Sequence, residues 1–269
     1  MKLKLTILIQ ILTGCLLLSG QTLEKIKSVK LQHRVVNAST DRQGNLYVAS
    51  NNGDIDRFDK SGDLAYHFSP DKKGNATLIE AWQGLRTFVF YRDFQQYLFL
   101  DRFLNNSTPF DIGNGLSTYF ELGTIAGDNN LWLIDQQELT LKKLDIEISE
   151  FLVETPLNLN LDPDNYELSF IREYQNLLFI SDKSSGVLVF DNLGNYLESL
   201  PLTGLNHFSF SGNELLGLNA TGDKAMLIDI YTKKEREISL PDPSYQFVFM
   251  ENSRLYCVAA KRIDIFKLD

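Results

Sequence analysis

The sequence predicts an all-β protein, a six-bladed β-propeller of four-stranded blades, and three observations carry that prediction. A short apolar run recurs six times: Leu46-Tyr47-Val48-Ala49, Thr87-Phe88-Val89-Phe90, Leu131-Trp132-Leu133-Ile134, Leu177-Leu178-Phe179-Ile180, Leu215-Leu216-Gly217-Leu218 and Leu255-Tyr256-Cys257-Val258. Their first residues lie 41, 44, 46, 38 and 40 positions apart. A period of about 40–45 residues with several strands per unit is the pattern of a propeller blade. Clusters of Gly, Asn and Asp cut each repeat into four short segments, and no long stretch carries helical periodicity.

The first repeat divides into Arg34–Ser39, Asn45–Ser50, Asp54–Asp59 and Leu64–Ser69. Its hairpins are Gln43-Gly44-Asn45, Asn52-Gly53-Asp54 and Ser61-Gly62-Asp63, where Gly and Asn accept positive φ. The fourth repeat follows the same grammar with Leu177–Ser181, Val187–Asp191 and Tyr196–Leu200. The last repeat stops after three strands, at Ile263–Leu268, while Ile26–Leu31 is a lone strand ahead of the first blade. A ring has no open edge only if these two ends share a blade. Ile26–Leu31 is therefore expected as the outer strand of blade six.

The first twenty residues read as an export signal. Lys2 and Lys4 precede the apolar run Leu5–Leu18, and Ser19-Gly20-Gln21 offers small residues for cleavage. That run has 14 residues, where a membrane-spanning helix needs about 20. Leu12-Thr13-Gly14-Cys15 resembles the lipobox of bacterial lipoproteins, although Leu16-Leu17-Leu18 stays apolar after the Cys. Simple cleavage is the preferred reading and lipidation at Cys15 the alternative. Residues 21–269 then form the propeller, 249 residues and ample for one all-β core.

Composition narrows the function classes. A net charge of −9 disfavours nucleic acid and anionic lipid. Membrane contact is expected only through an N-terminal lipid. Lys142-Lys143 and Lys233-Lys234 read as solvated surface, and Cys257, in an apolar strand, reads as a buried inert thiol.

Asp41-Arg42-Gln43-Gly44-Asn45-Leu46-Tyr47-Val48-Ala49 resembles the Asp-x-x-Gly-Asn-Leu-Tyr-Val-Ala segment of NHL-repeat and gluconolactonase-like propellers, and Asp128-Asn129-Asn130-Leu131-Trp132-Leu133 echoes it more loosely. The resemblance implies the six-bladed fold. In gluconolactonase- and paraoxonase-like enzymes a channel-bound divalent metal, held by Glu, Asn and Asp, activates a lactone or ester. The signal-bearing, Asn- and Phe-rich, low-cysteine chain also resembles exported propeller-like proteins of Bacteroidota.

Nucleophilic catalysis finds little support. The three histidines, His33, His67 and His207, accompany no Gly-x-Ser-x-Gly elbow, no His-Glu-x-x-His and no Cys pair. Aligning the innermost strands on the apolar markers instead gives a ring of polar positions, Asn37, Glu80, Glu121, Glu167, His207 and Gln246, set among mostly apolar neighbours. Equivalent inner-strand positions converge on the axis. Two explanations stand open: a water-filled channel, or a hard-cation site such as Ca²⁺ with Glu80, Glu121 and Glu167 as ligands. The ring departs from the lactonase pattern, with one Asn and no Asp. A second candidate surface is Arg92 with Phe94, expected at the exposed tip of the blade-two hairpin and suited to a partner contact.

The sequence thus points to a non-catalytic, exported scaffold in the cell envelope, periplasmic or outer-membrane-associated, with a protein partner and no cofactor. An accessory role in an outer-membrane secretion or transport complex follows from the resemblance. The alternative is a divalent-metal-dependent lactonase or esterase, and a third reading is a carbohydrate- or peptide-sensing module.

Overall fold

The computed structural model describes residues 23–81, 84–105, 108–112, 119–162 and 164–268. The export signal expected over residues 1–20, with its Cys15 box, lies outside them. The described chain forms six four-stranded antiparallel sheets arranged as blades. A lone first strand, β1 (Leu23–Lys30), precedes blade one, which is β2 (Val35–Thr40), β3 (Leu46–Ser50), β4 (Ile55–Phe58) and β5 (Leu64–Phe68). Blade two is β6 (Leu78–Glu80), β7 (Arg86–Tyr91), β8 (Gln96–Asp101) and β9 (Phe110–Asp111). Blade three is β10 (Phe120–Ile125), β11 (Leu131–Asp135), β12 (Thr140–Asp145) and β13 (Glu150–Pro156). Blade four is β14 (Leu168–Tyr174), β15 (Leu177–Asp182), β16 (Gly186–Asp191) and β17 (Tyr196–Leu200). Blade five is β18 (Phe208–Ser211), β19 (Glu214–Leu218), β20 (Lys224–Asp229) and β21 (Glu235–Ser239). Blade six takes β22 (Tyr245–Glu251), β23 (Arg254–Ala259) and β24 (Arg262–Leu268), with β1 as its fourth strand.

The apolar markers are continuous because a second strand is buried on both faces. In β3, Leu46 and Val48 join Phe247, Phe249 and Tyr256 in the core between blades six and one. Tyr47 and Ala49, pointing the other way, join Ile79 and Val89 between blades one and two. Side chains alternate across a strand, so both sets must be apolar. Outer strands behave differently: β13 alternates exposed and half-buried positions along its whole length. Blade two has short first and last strands, three and two residues long. Its sheet gains an aromatic ladder in which Phe88 lies 5.9 Å from Tyr97, and Tyr97 stacks on Phe110 at 5.2 Å.

One turn recurs at the outer edge of blades one to five. Asp59, Asp101, Asp145, Asp191 and Asp229 end or follow the third strand. Each carboxylate accepts the backbone N–H two residues on, at Ser61, Phe103, Glu147, Leu193 and Tyr231, at 2.8–3.0 Å. These Asx-type bonds satisfy turn amides that have no ladder partner. In blade four the turn needs glycine: Gly194 has φ +81°, and a Cβ there would sit 2.5 Å from Val153 Cγ1.

Lys142 and Lys143 depart from the expected solvated surface. Both lie in β12 at 5% exposure. The Lys142 ammonium is 3.1 Å from the fully buried Asp135 carboxylate and 2.6 Å from Glu138. Lys143 pairs with Asp128 at 2.7 Å and lies 4.9 Å from the Trp132 ring centre. Cys257 is fully buried, and burial pushes its thiol pKa up. Among the described residues no helix is long and apolar enough to cross a membrane.

The first and last strands close the ring as the strand count requires. β1 pairs antiparallel with β24, from Leu23 opposite Leu268 to Lys30 opposite Arg262, with one irregularity between Lys25 and Lys27. Val29 packs on the six–one core. Asp264, with no side-chain exposure, ties the blade together: Lys25 approaches it at 3.3 Å, Tyr245 donates at 2.7 Å and Arg262 Nε at 2.9 Å. Burial alone would raise its pKa; hydrogen bonds from Ser28, Tyr245 and Lys25, with the Arg262 charge, hold it below the ordinary value. A truncated chain starting at Gln32 would lack β1 and bare the β24 edge. It is expected to lose cooperative thermal unfolding and to self-associate, measured by calorimetry and size-exclusion chromatography.

Candidate functional site

The first strands of the blades, β2, β6, β10, β14, β18 and β22, line the axis. Their starts, together with the β3–β4 and β19–β20 hairpins, make one face of the ring; their ends make the other. The six aligned positions do not form one ring. Asn37, His207 and Gln246 meet in a cleft of about 630 Å³ at the first face. Glu80 is buried inside the channel, where Thr124 Oγ1 donates to it at 2.6 Å. Glu121 accepts from Arg92 Nη1 at 2.6 Å. Glu167 lies ahead of β14 on the exposed rim, paired with Lys183. The cause is a set of β-bulges. Register shifts fall at Val35/Asn37, Phe120/Leu122, Leu168/Phe170 and Tyr245/Phe247. The structurally equivalent extra residues are therefore Val36, Glu121, Ser169 and Gln246, and counting back from the apolar marker mixes registers.

Glu80, Glu121 and Glu167, the carboxylates expected as hard-cation ligands, thus lie apart from one another. Each of Glu80, Glu121 and Glu167 has its own partner, and among the described residues no group of three or more His, Cys, Asp or Glu is placed to hold a metal. Arg92 and Phe94 also differ from expectation. They form a short 3-10 turn, Arg92–Phe94, and Arg92 is held by Glu121 and Asp93. Phe94 is half-buried: it stacks on Tyr91, rests against Gly74 and carries Lys72 over its ring at 3.7 Å.

The channel behind the cleft is filled by side chains. From β14, Arg172 reaches inward until its Nε is 3.8 Å from Glu80 Oε1, both residues 5% exposed. Burial pushes the Arg172 pKa down against the opposing Glu80 charge, and burial pushes Glu80 up against Arg172 and Thr124. His207 is buried among Phe170, Phe247 and Phe249, with ring centres 4.2, 5.1 and 5.5 Å away. Burial first, and the Arg172 charge second, lower its pKa to about 3. It stays neutral through the physiological range and is a poor proton acceptor. His67, by contrast, is exposed and pairs with Asp56 at 2.7 Å on the outer strands of blade one.

The opposite mouth is smaller, about 330 Å³, and carries Arg42, Glu80 and Glu173. Glu173 accepts from Gly127 N–H at 2.8 Å and from the Trp132 indole at 2.6 Å. Glu251 on this side has its pKa raised to about 7 by burial and then by the Asp41 charge. Arg172 and Glu173 were not singled out in the sequence. Their signal is a charged pair inside Phe170-Ile171-Arg172-Glu173-Tyr174, an otherwise apolar strand.

On the first face the cleft continues outward. A second depression of about 290 Å³ shares Asn51 and Asn75 with the first and extends to Tyr91 and Phe94. Together they form one groove from the axis across the boundary of blades one and two.

Two measurements follow from this interior. Glu80→Gln leaves the Arg172 guanidinium without its counter-charge and is expected to cost about 3 kcal/mol. The double variant Glu80→Gln/Arg172→Met should recover much of that loss, read by urea unfolding. For His207 the folded pKa is depressed, so the unfolded chain takes up a proton that the folded chain refuses. Stability should fall as pH drops from about 6.5 towards 3, with a slope of up to about 1.4 kcal/mol per pH unit from this group. His207→Phe should flatten that limb of the stability–pH curve relative to the parent.

No protein-family model matches the chain, and no curated protein matches its sequence. Solved structures do. A catalytically inactive His-to-Ala variant of virginiamycin B lyase from Staphylococcus aureus, with quinupristin, superposes with a TM-score of 0.65 at 9% identity, covering 92% of this chain and 100% of that one. The Cps50 (Swd1) β-propeller domain of Myceliophteria thermophila gives 0.64 at 11% identity, with the same coverages. The WD40 domain of Neurospora crassa Pan2 gives 0.62 at 8%, covering 92% and 96%. At such identities the likeness is one of fold: this chain is a six-bladed β-propeller.

Proposed function

We propose that this propeller is an exported, non-catalytic binding module, a protein-interaction scaffold in the cell envelope that serves a secretion or transport assembly of the outer membrane. One observation carries the reading: an open groove lined by side-chain amides lies in front of a channel whose own groups are committed to each other. Arg172 faces Glu80, and His207 is packed among three phenylalanines with a pKa of about 3. General acid–base work calls for a group titrating near the working pH, and the groove side chains named above supply none. The solved neighbours include both a lyase and WD40 domains, so the fold is neutral between the two classes, and the reading is supported by the side chains of the groove and channel. Export rests on the Lys2/Lys4 and Leu5–Leu18 leader.

The full chain with its leader, produced in a Bacteroidota host, tests the reading by fractionation and by cross-linking mass spectrometry from a photoreactive residue at position 206. Recovery in the envelope, with cross-links to a membrane-assembly protein, is the expected result. A cytosolic chain would sink the localisation. Turnover of a lactone panel with added Ca²⁺, lost in Glu80→Ala, would sink the non-catalytic reading.

A further inference from the structure

Resting on the binding-module reading, we infer that the groove takes an extended polypeptide segment of the partner, neutral or acidic, gripped through its backbone amides. The groove is long rather than round, since its two depressions share Asn51 and Asn75 and run from the axis to Phe94. Its amides fall into two kinds. Asn37 is spent on structure: it donates to the Thr77 carbonyl at 2.7 Å and accepts from Ile79 N–H at 3.3 Å, stitching blade one to blade two. Asn219 is likewise spent on Thr221, Asp223 and Lys224 in its own turn. Asn75, Asn206 and Gln246 are exposed, and among the described residues their side chains take no hydrogen-bond partner. A primary amide offers the N–H donor and C=O acceptor that complement one peptide unit, so spaced amides can hold an extended backbone without reading its side chains.

A second observation points independently to a ligand. Tyr91 lines the outer part of the groove at 5% exposure, and its buried hydroxyl has no hydrogen-bond partner. An unpaired buried hydroxyl is unfavourable and is relieved by a bound polar group. Sugars fit less well. They stack on open aromatic faces, whereas Phe170, Tyr245 and Phe247 are 4%, 4% and 9% exposed and Phe94 is covered by Lys72 and Gly74. Charge selects among peptides. Asp93 is met by Arg92 and Lys73 by Asp54, which leaves Arg34 as the groove cation without an ion-pair partner among the described residues. A basic segment would be repelled there.

The test presents the full mature chain with a random library of peptides about twelve residues long, and separately with hexasaccharides of glucose, mannose and N-acetylglucosamine. Enriched peptides should be neutral or acidic. Their affinity should fall roughly tenfold or more in Asn75→Ala/Asn206→Ala/Gln246→Ala, and similarly when central peptide nitrogens are methylated. Tyr91→Phe should weaken binding several-fold while leaving the melting temperature equal or higher, an effect a purely structural hydroxyl would not give. Peptides that bind the triple variant equally well would overturn the groove and leave the scaffold reading standing. A library that enriches nothing would overturn the peptide inference. Hexasaccharide binding lost in the triple variant would overturn both.

Discussion

Everything in this molecule depends on the antiparallel pairing of β1 with β24. Without it, blade six is a three-stranded sheet with an open edge, and the ring has a place to open. With it, the interface between blades six and one forms a continuous core, joining Val35, Leu46 and Phe58 to Phe249, Tyr256 and Ile263. Closure is what makes both faces of every blade interior. It therefore explains why the second strands are apolar on both sides, and why the polar groups that remain inside must find partners at short range.

The interior charges obey that rule in two ways. Lys142, Lys143 and Asp264 sit within or between blades, each surrounded by opposite charge or by an aromatic face. Arg172 and Glu80 sit in the channel at a looser 3.8 Å, and Arg172 Nε has no hydrogen bond. Buried pairs of this kind contribute little net stability against an apolar replacement, yet breaking one is costly. Their effect is to fix which side chains occupy the axis, and so to leave the open space at the two mouths, the larger of them on the groove face, and not in the middle.

Much of the fold was legible from spacing alone. Tyr196–Leu200 coincides with β17, and the four segments read in the first repeat differ from β2 to β5 by a residue or so at their ends. The apolar markers work because double-sided burial leaves no room for a polar substitution. The axial positions were harder to read. A bulge adds one residue at Val36, Glu121, Ser169 or Gln246 with no change in composition to announce it, so Asn37 and Glu167 were aligned with positions they do not share. Lys142 and Lys143 misled for a related reason: their partners Asp135, Glu138 and Asp128 are near in sequence, but nothing in the pattern says that the ammonium groups point inward. Asn75 and Asn206 sit in connections, where an unpartnered amide looks like any other loop residue.

The antiparallel course of β1 also gives the ring a polarity. Leu23 lies opposite Leu268, whose N–H bonds to the Ser253 carbonyl in the β22–β23 hairpin. That hairpin belongs to the face where the axial strands end, and the amide groove opens on the other. A tether attached ahead of Leu23, whether lipid or polypeptide, would grip the ring by the pole opposite its groove. The molecule would then stand on its anchor like a cup on its foot, with the groove turned outward to whatever passes above the surface.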